Sequence, residues 1–241
     1  MTDILATLDA RLGRSGINLV GATSVAAYDL RVAPPRRLAP RAPGARGVIV
    51  LGNGGRALWD AARAVIVRSA ARDPLDDFTR AVVAAAIADI AGARACFPFD
   101  DLASAPDFQV LAELAGLGRR SLVGVLVHPV YGPWIALRAA VLVPDEVSAP
   151  RPIDGFDPCP TCVERPCIVA CPVGAVGPDG WNVERCSAHR LADETHCAAG
   201  CSARIECVYG RAHRQPVEAL AFHQAAARRA MAAQARAARK A

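Results

Sequence analysis

Hydrophobic and polar positions alternate between helical and extended periods through the first half of the chain. Ile4, Leu5, Leu8 and Leu12 recur at helical spacing and predict an amphipathic helix over residues 1–16, closed by Gly13 and Gly16. A short apolar run at 17–22 predicts a strand. The stretch VAPPRRLAPRAPGAR that follows is rich in proline and arginine and predicts an irregular, solvated connection rather than a phosphate or partner contact. GVIVL at 47–51 has the unbroken apolar character of a strand buried on both faces. It runs into Gly52-Asn53-Gly54-Gly55 and a helix predicted over 57–71. A strand, glycine turn and helix can seat an anion, but the spacing is not G-x-G-x-x-G, and a plain tight turn explains it equally well.

Asp73-Pro74 supplies an N-cap and a first helical position, predicting a helix to about residue 91 with Phe78, Val82, Ala85, Ala86 and Ile90 as its core stripe. A strand is expected over 94–99, and a short helix over 108–117 ended by Gly116 and Gly118. Two apolar runs, 121–127 and 134–143, flank HPVYGP and predict a hairpin with a wide turn. His128 and Tyr131 within that turn are read as turn-packing residues, with cofactor contact as the alternative. The mixed order predicts an α+β fold, a sheet covered by helices. From 144 to 158 the composition shifts to Pro, Asp and Gly, which places a boundary near residue 150. The predicted domains are residues 1–150, 151–214 and a basic helix over 215–241. That helix starts at Pro216 and carries Arg228, Arg229, Arg236, Arg239 and Lys240, and it reads as solvated rather than as a nucleic-acid arm.

The bulk properties narrow the classes. With 241 residues and 53% hydrophobic content the chain can bury a sizeable core. No apolar run reaches the length of a membrane span. The N-terminal segment reads as an amphipathic helix rather than a signal peptide, which predicts a cytoplasmic protein with reduced thiols. Cys96, alone in ARACFPF, is read as a small buried hydrophobe.

The chemistry lies in the remaining eight cysteines, all between 159 and 207. CPTCVERPCIVACP is C-x2-C-x4-C-x3-C-P, and C-x10-C-x3-C-x5-C follows. The bacterial ferredoxin run is C-x2-C-x2-C-x3-C-P, whose fourth Cys ligates the other cluster in two-cluster proteins. On that pattern Cys159, Cys162, Cys167 and Cys207 hold one [4Fe–4S] cluster, and Cys171, Cys186, Cys197 and Cys201 hold a second. Ile168, Val169, Val173 and Val176 are expected to form an apolar wall. The alternative is zinc, which also takes four-cysteine sites and is served by C-x2-C pairs, with His189 and His196 nearby. The formal charge is +5. Two clusters at about −2 each, thiolates included, bring it to roughly +1, so the basic balance does not argue for nucleic acid.

LAELAGLGRRSLVGVLVHPVYGPWIALRAAVL, followed by the cysteine run and CPVGAV, resembles epoxyqueuosine reductase and the reductive dehalogenases over roughly residues 105–207. The resemblance implies an N-terminal α/β domain of nitroreductase-like character that holds cobalamin. It also implies a C-terminal ferredoxin-type module whose two [4Fe–4S] clusters feed electrons to it. An electron donor of flavodoxin or ferredoxin type follows, and tRNA would be the one nucleic-acid partner. The chain departs from the family by two extra residues before Cys167 and by Val208, rather than proline, after the last Cys. No residue is assignable as the reductase's proton donor. Three readings stand: a redox enzyme relaying electrons to a corrinoid or flavin, a dedicated electron carrier, and a zinc-stabilised binding module.

Overall fold

The computed structural model describes residues 4–100, 105–147, 153 and 155–238. In chain order the elements are α1 (Ile4–Leu12), β1 (Leu19–Ser24), α2 (Val25–Asp29), β2 (Gly47–Gly54), α3 (Ala57–Arg68), α4 (Pro74–Ile87), β3 (Arg94–Cys96) and α5 (Phe108–Leu114). There follow β4 (Arg119–Arg120), β5 (Leu126–Val127), β6 (Ile135–Val143), α6 (Pro158–Thr161), α7 (Pro166–Ala170), β7 (Val176–Gly177) and β8 (Gly180–Trp181). The last are α8 (Val183–Ala192), α9 (Ser202–Ile205) and α10 (Val217–Ala238). The chain forms two compact units: Met1–Arg119 with Ile135–Phe156, and Arg120–Trp134 with Asp157–Ala241. The boundary predicted near residue 150 lies outside the described residues, as do Arg239 and Lys240 at the chain's end.

The first unit is built on an antiparallel sheet in the order β1-β2-β6-β3. β2 and β6 are its inner strands, and all eight residues of β2 are buried. That explains the unbroken apolar run: a strand covered on both faces has no solvent side to mark with polar residues. Val48, Ile49 and Val50 pair with Leu142, Val141 and Ala140, and the register breaks between Leu51 and Gly52. α1, α3 and α4 pack on one another and on β1, β2 and β3, while α2 and α5 pack together and on β1. Tyr28, fully buried, accepts a 2.7 Å hydrogen bond from the Asp107 amide, and Asp107 in turn caps α5 through the amides of Gln109 and Val110. Arg138 on β6 is buried and donates from Nε to Asn53 Oδ1 at 2.7 Å. Burial lowers this guanidinium to about 10, which leaves it charged at neutral pH.

Several expectations need correction. The proposed hairpin does not form. Residues 121–125 turn, only Leu126–Val127 is extended, and β6 pairs instead with β2 and β3. Local alternation reports that a segment is extended but not which strand completes it. The stripe on α4 is Leu75, Thr79, Val83 and Ala86, with Ala85 exposed. Thr79 is tolerated inside because its hydroxyl returns to the Leu75 carbonyl at 2.8 Å. α2 was not foreseen, although Ser24 caps it by accepting from the Ala27 amide. β3 is only three residues long, because the Phe97 amide turns to Asp100 at 2.9 Å.

The second unit is made of short pieces. α6, α7 and α9 have four or five residues each, and β7 and β8 form a two-residue hairpin. α8 packs on the long α10, joined by Arg190 Nη2, which donates to the Gln224 carbonyl at 2.8 Å. Its small core holds Cys167, Val176 and Ala203, with Leu122, Ile168, Cys171 and Cys201 packed against it.

Cys96 sits on β3, its thiol 3.4 Å from the Ala140 carbonyl, and burial with the nearby Asp100 pushes it up to about 11. The thiolate is the reactive form. At pH 8 alkylation of Cys96 in the folded protein is therefore expected to run at least about 100-fold slower than that of a free cysteine. The rate should climb as pH rises toward 11. Mass spectrometry of iodoacetamide time courses checks both statements.

Candidate metal centre

The three short helices of the second unit each deliver thiols at or just beyond their ends. Cys159 lies on α6 and Cys162 caps its end. Pro166 then starts α7, after Arg165 turns the chain with a left-handed φ of 41°. Cys167 lies in α7 and Cys171 caps its end. The β7–β8 hairpin reverses the chain. Asn182 then caps α8 by accepting from the Arg185 amide at 2.8 Å, which sets Cys186 in the first turns of that helix. Cys197 holds a left-handed φ of 55°, an uncommon position for a side chain other than glycine. Cys201 is the N-cap of α9, and Cys207 follows its end.

The thiols fall into two sets by mutual influence. Burial raises the Cys167 thiol, and Cys159, Cys207 and Cys162 raise it further. Burial likewise raises Cys207, with Cys159 and Cys162 contributing. Those four also line one cavity, closed by Leu122, Val127, Pro133 and Pro158. The second set is Cys171, Cys186, Cys197 and Cys201. Burial raises Cys197, and Cys201, Cys186 and Cys171 add to it. Burial raises Cys201 too, with Cys186 beside it. Cys171 thus stands with the later cysteines and Cys207 with the earlier ones.

Among the described residues no three His, Cys, Asp or Glu side chains are close enough to hold a single metal ion. The sulfurs also accept backbone donors: the Leu122 amide to Cys159 at 3.4 Å and the Ala175 amide to Cys171 at 3.2 Å. The amides of Tyr209 and Arg204 serve Cys207 and Cys201. Donors aimed at sulfur suit a thiolate-bound cluster, so the donor set is chemically compatible with iron–sulfur ligation.

The loop of residues 128–133 supports the site without contributing a ligand. His128 Nδ1 accepts from the amides of Val130 at 3.0 Å and Tyr131 at 3.2 Å, the turn role expected for it. Tyr131 packs edge-on to His213, 4.8 Å between ring centroids. Backbone meets backbone where Gly132 and Gly210, both left-handed, face Tyr209 and Tyr131. Of the expected apolar wall, Val176 is buried and Ile168 half-buried, but Val169 is 87% exposed because five-residue α7 has only one inner face. Leu122, Val127 and Arg204 were not foreseen as site residues. The first two sit in a stretch that reads as an ordinary strand, and Arg204 carries no motif. His189 and His196 stack at 4.0 Å, and His196 Nδ1 lies 2.9 Å from the His189 carbonyl.

In the first unit one cavity is lined by Ala26, Asp29, Leu30, Arg37, Ala39 and Pro40, and another lies between Pro43, Arg94 and Pro144. Neither carries side chains that would distinguish a corrinoid from a flavin.

No protein-family model and no curated protein matches the chain. Solved structures do. Epoxyqueuosine reductase from Streptococcus thermophilus aligns with a TM-score of 0.60 at 15% identity, over 89% of this chain and 68% of that one. The C. elegans B12-trafficking protein CblC aligns at 0.56 and 14%, over 92% and 90%. The catabolic reductive dehalogenase NpRdhA aligns at 0.55 and 19%, over 90% and 33%. The chain spans about two thirds of the length of the epoxyqueuosine reductases it matches. The resemblance read from the sequence is borne out in the fold, a mixed α/β architecture with antiparallel sheets.

Because Gly132 and Gly210 combine a left-handed φ with backbone contact, a Cβ at either has no room. Gly132→Ala and Gly210→Ala are each expected to lower stability by more than about 1 kcal/mol, the low end of the cost of such strain. Chemical denaturation of the purified protein measures it.

Proposed function

We propose that the chain is an iron–sulfur redox protein in which Cys159, Cys162, Cys167 and Cys207 ligate one [4Fe–4S] cluster and Cys171, Cys186, Cys197 and Cys201 ligate a second. The observation that carries this reading is the cavity that Cys159, Cys162, Cys167 and Cys207 line together, with Cys197 influenced by Cys201, Cys186 and Cys171 instead. When bound, the clusters supply one-electron transfer. The protein's own part is to orient, shield and tune. The amides of Leu122 and Ala175 donate to ligand sulfurs. Val176, Ala203 and Ile168 keep water from the space around Cys167, Cys171 and Cys201.

On this reading the second unit is a ferredoxin-type module, and the first, of nitroreductase-like character, holds the electron acceptor, a corrinoid or a flavin. The fold shared with a B12-trafficking protein supports the corrinoid, and the fold shared with two kinds of reductase supports an oxidoreductase. The electron donor is a flavodoxin- or ferredoxin-type protein. An epoxyqueuosine reductase of the same fold is solved with an epoxyqueuosine-modified tRNA stem loop, which supports tRNA as the substrate class. The competing reading is an electron carrier whose first unit only docks partners. Its support is that the cysteine sets stand complete within one unit.

Protein purified without oxygen is expected to contain about eight irons and eight acid-labile sulfides per chain. Colourless, zinc-loaded material would overturn the proposal. Added corrinoid or flavin absorption bands favour the enzyme, and their absence favours the carrier. Cys162→Ser and Cys171→Ser should each leave about four irons. The crossed pairing makes a sharper claim: Cys162→Ser with Cys207→Ser should still leave about four, whereas Cys162→Ser with Cys171→Ser should leave almost none. Iron and sulfide analysis of the four variants decides it.

A further inference from the structure

A long connection joins α2 to β2, residues 30–46, and its only regular piece is a short 3-10 turn, Pro34–Arg36. Irregular connections of this length are uncommon in compact domains and are usually functional when they are ordered. This one is pinned along its length. Asp29 accepts from the Leu38 amide at 2.7 Å with one carboxylate oxygen and from the Ala39 amide at 3.1 Å with the other. The side chains of Leu38 and Ala42 are buried. The Arg41 and Ala42 amides return to the Leu38 carbonyl, and the Arg46 amide donates to the Val143 carbonyl on β6, each at 2.9 Å. Pro34, Pro35, Pro40 and Pro43 fix their own φ. What this held backbone presents is positive charge. Arg31, Arg36, Arg37, Arg41 and Arg46 all lie within it and all are exposed. No Asp or Glu occurs between Asp29 and Asp60, and Asp29 has both oxygens on amides. Arg41 reaches the Pro35 carbonyl and Arg46 the Pro144 carbonyl, both neutral. Among the described residues no carboxylate pairs with Arg31, Arg36 or Arg37.

We propose that residues 31–46 form a docking surface for the phosphodiester backbone of an RNA, with Arg31, Arg36 and Arg37 as its phosphate-binding side chains. The inference rests on the tRNA substrate class proposed above. Clustered cations without counter-charge attract a polyanion, and the fork of a guanidinium matches two phosphate oxygens at once. Because the backbone is held before binding, little ordering cost falls on the complex. An acidic electron-donor protein is the competing partner, and two observations count against it. The segment belongs to the first unit and all eight clustered thiols to the second, which is the unit an electron donor must meet. Protein interfaces also centre on large apolar side chains. Here the large ones are Val32, half-buried, and Leu38, buried, so the exposed part is arginine, proline and alanine.

The test is fluorescence anisotropy of a labelled tRNA stem loop titrated with the full-length protein, over a salt series from about 50 to 200 mM. Arg36→Gln with Arg37→Gln is expected to weaken binding and to lower the slope of log K against log salt by about 2, one for each phosphate contact. Arg63→Gln with Arg68→Gln removes the same charge from exposed positions on α3 and should leave the slope near the wild-type value. Arg36→Lys with Arg37→Lys keeps the charge and should keep most of the slope. Equal losses in the two Gln pairs would show that net charge alone matters and overturn the proposal, as would an unchanged slope in the first pair. A labelled flavodoxin is titrated in parallel; if it loses affinity for the first pair and the RNA does not, the surface belongs to an acidic protein and the proposal falls. Should that pair fail to fold, Arg31→Gln alone decides, by a slope lower by about 1 or unchanged. Wild-type protein that does not bind the RNA at all would sink the tRNA reading itself, a result distinct from binding whose slope these substitutions leave untouched.

Discussion

The second unit gathers eight thiols around short elements. One of its buried clusters is Cys167, Val176 and Ala203, with Cys171 and Cys201 packed at the edge, and Val127, Trp134, Ala175 and Ala219 are buried as well. Elements of four and five residues are far below the length at which a helix stands alone. The ends of α6, α7 and α9 each carry a thiol. Burial raises Cys167, Cys197, Cys201 and Cys207, and protonated, neutral groups are what an apolar pocket accepts. The amides of Leu122, Ala175, Arg204 and Tyr209 are donors aimed at sulfur, and in small metal domains, the class proposed for this unit, binding and folding are one free energy.

The first unit obeys a different constraint. Its sheet is organised by β2 and β6, whose residues are mostly apolar and lie under helices. Such a unit needs no metal to account for its fold. Several of its polar interior residues are accounted for locally: Thr79 by a carbonyl one turn back, Tyr28 by an amide, Arg138 by Asn53. Cys96 belongs to this world, a thiol that behaves as a small apolar side chain.

The two units differ in how much of them the sequence discloses. β2, β6, α3, α5 and α10 were legible because a long apolar run or a capped amphipathic period is a local signal. The cysteine spacings were legible because chain geometry limits which thiols one short loop can present. What escaped was long-range. Nothing local says that residues 134–143 pair with 47–54 rather than with 121–127. Nothing local says that 120–134 joins the cysteine-rich unit, so Leu122, Val127 and Pro133 did not read as site residues. Val169 was misplaced for a smaller reason, since a five-residue helix offers its inner face to one side only. A shift of about one position on α4 came from treating Thr79 as a surface residue when its hydroxyl is satisfied within the helix.

Two arginines show how the units differ in the partners they offer a cation. Arg138 has the polar oxygen of Asn53 at 2.7 Å and the carboxyl of Asp76 within electrostatic reach. Burial raises Asp76, and Arg138 opposes that rise. Each member of the pair therefore offsets part of what burial costs the other. Arg204, in the second unit, is partly exposed and meets a neutral carbonyl and an aromatic face instead, the Pro133 oxygen at 2.9 Å and the Trp134 ring at 4.9 Å.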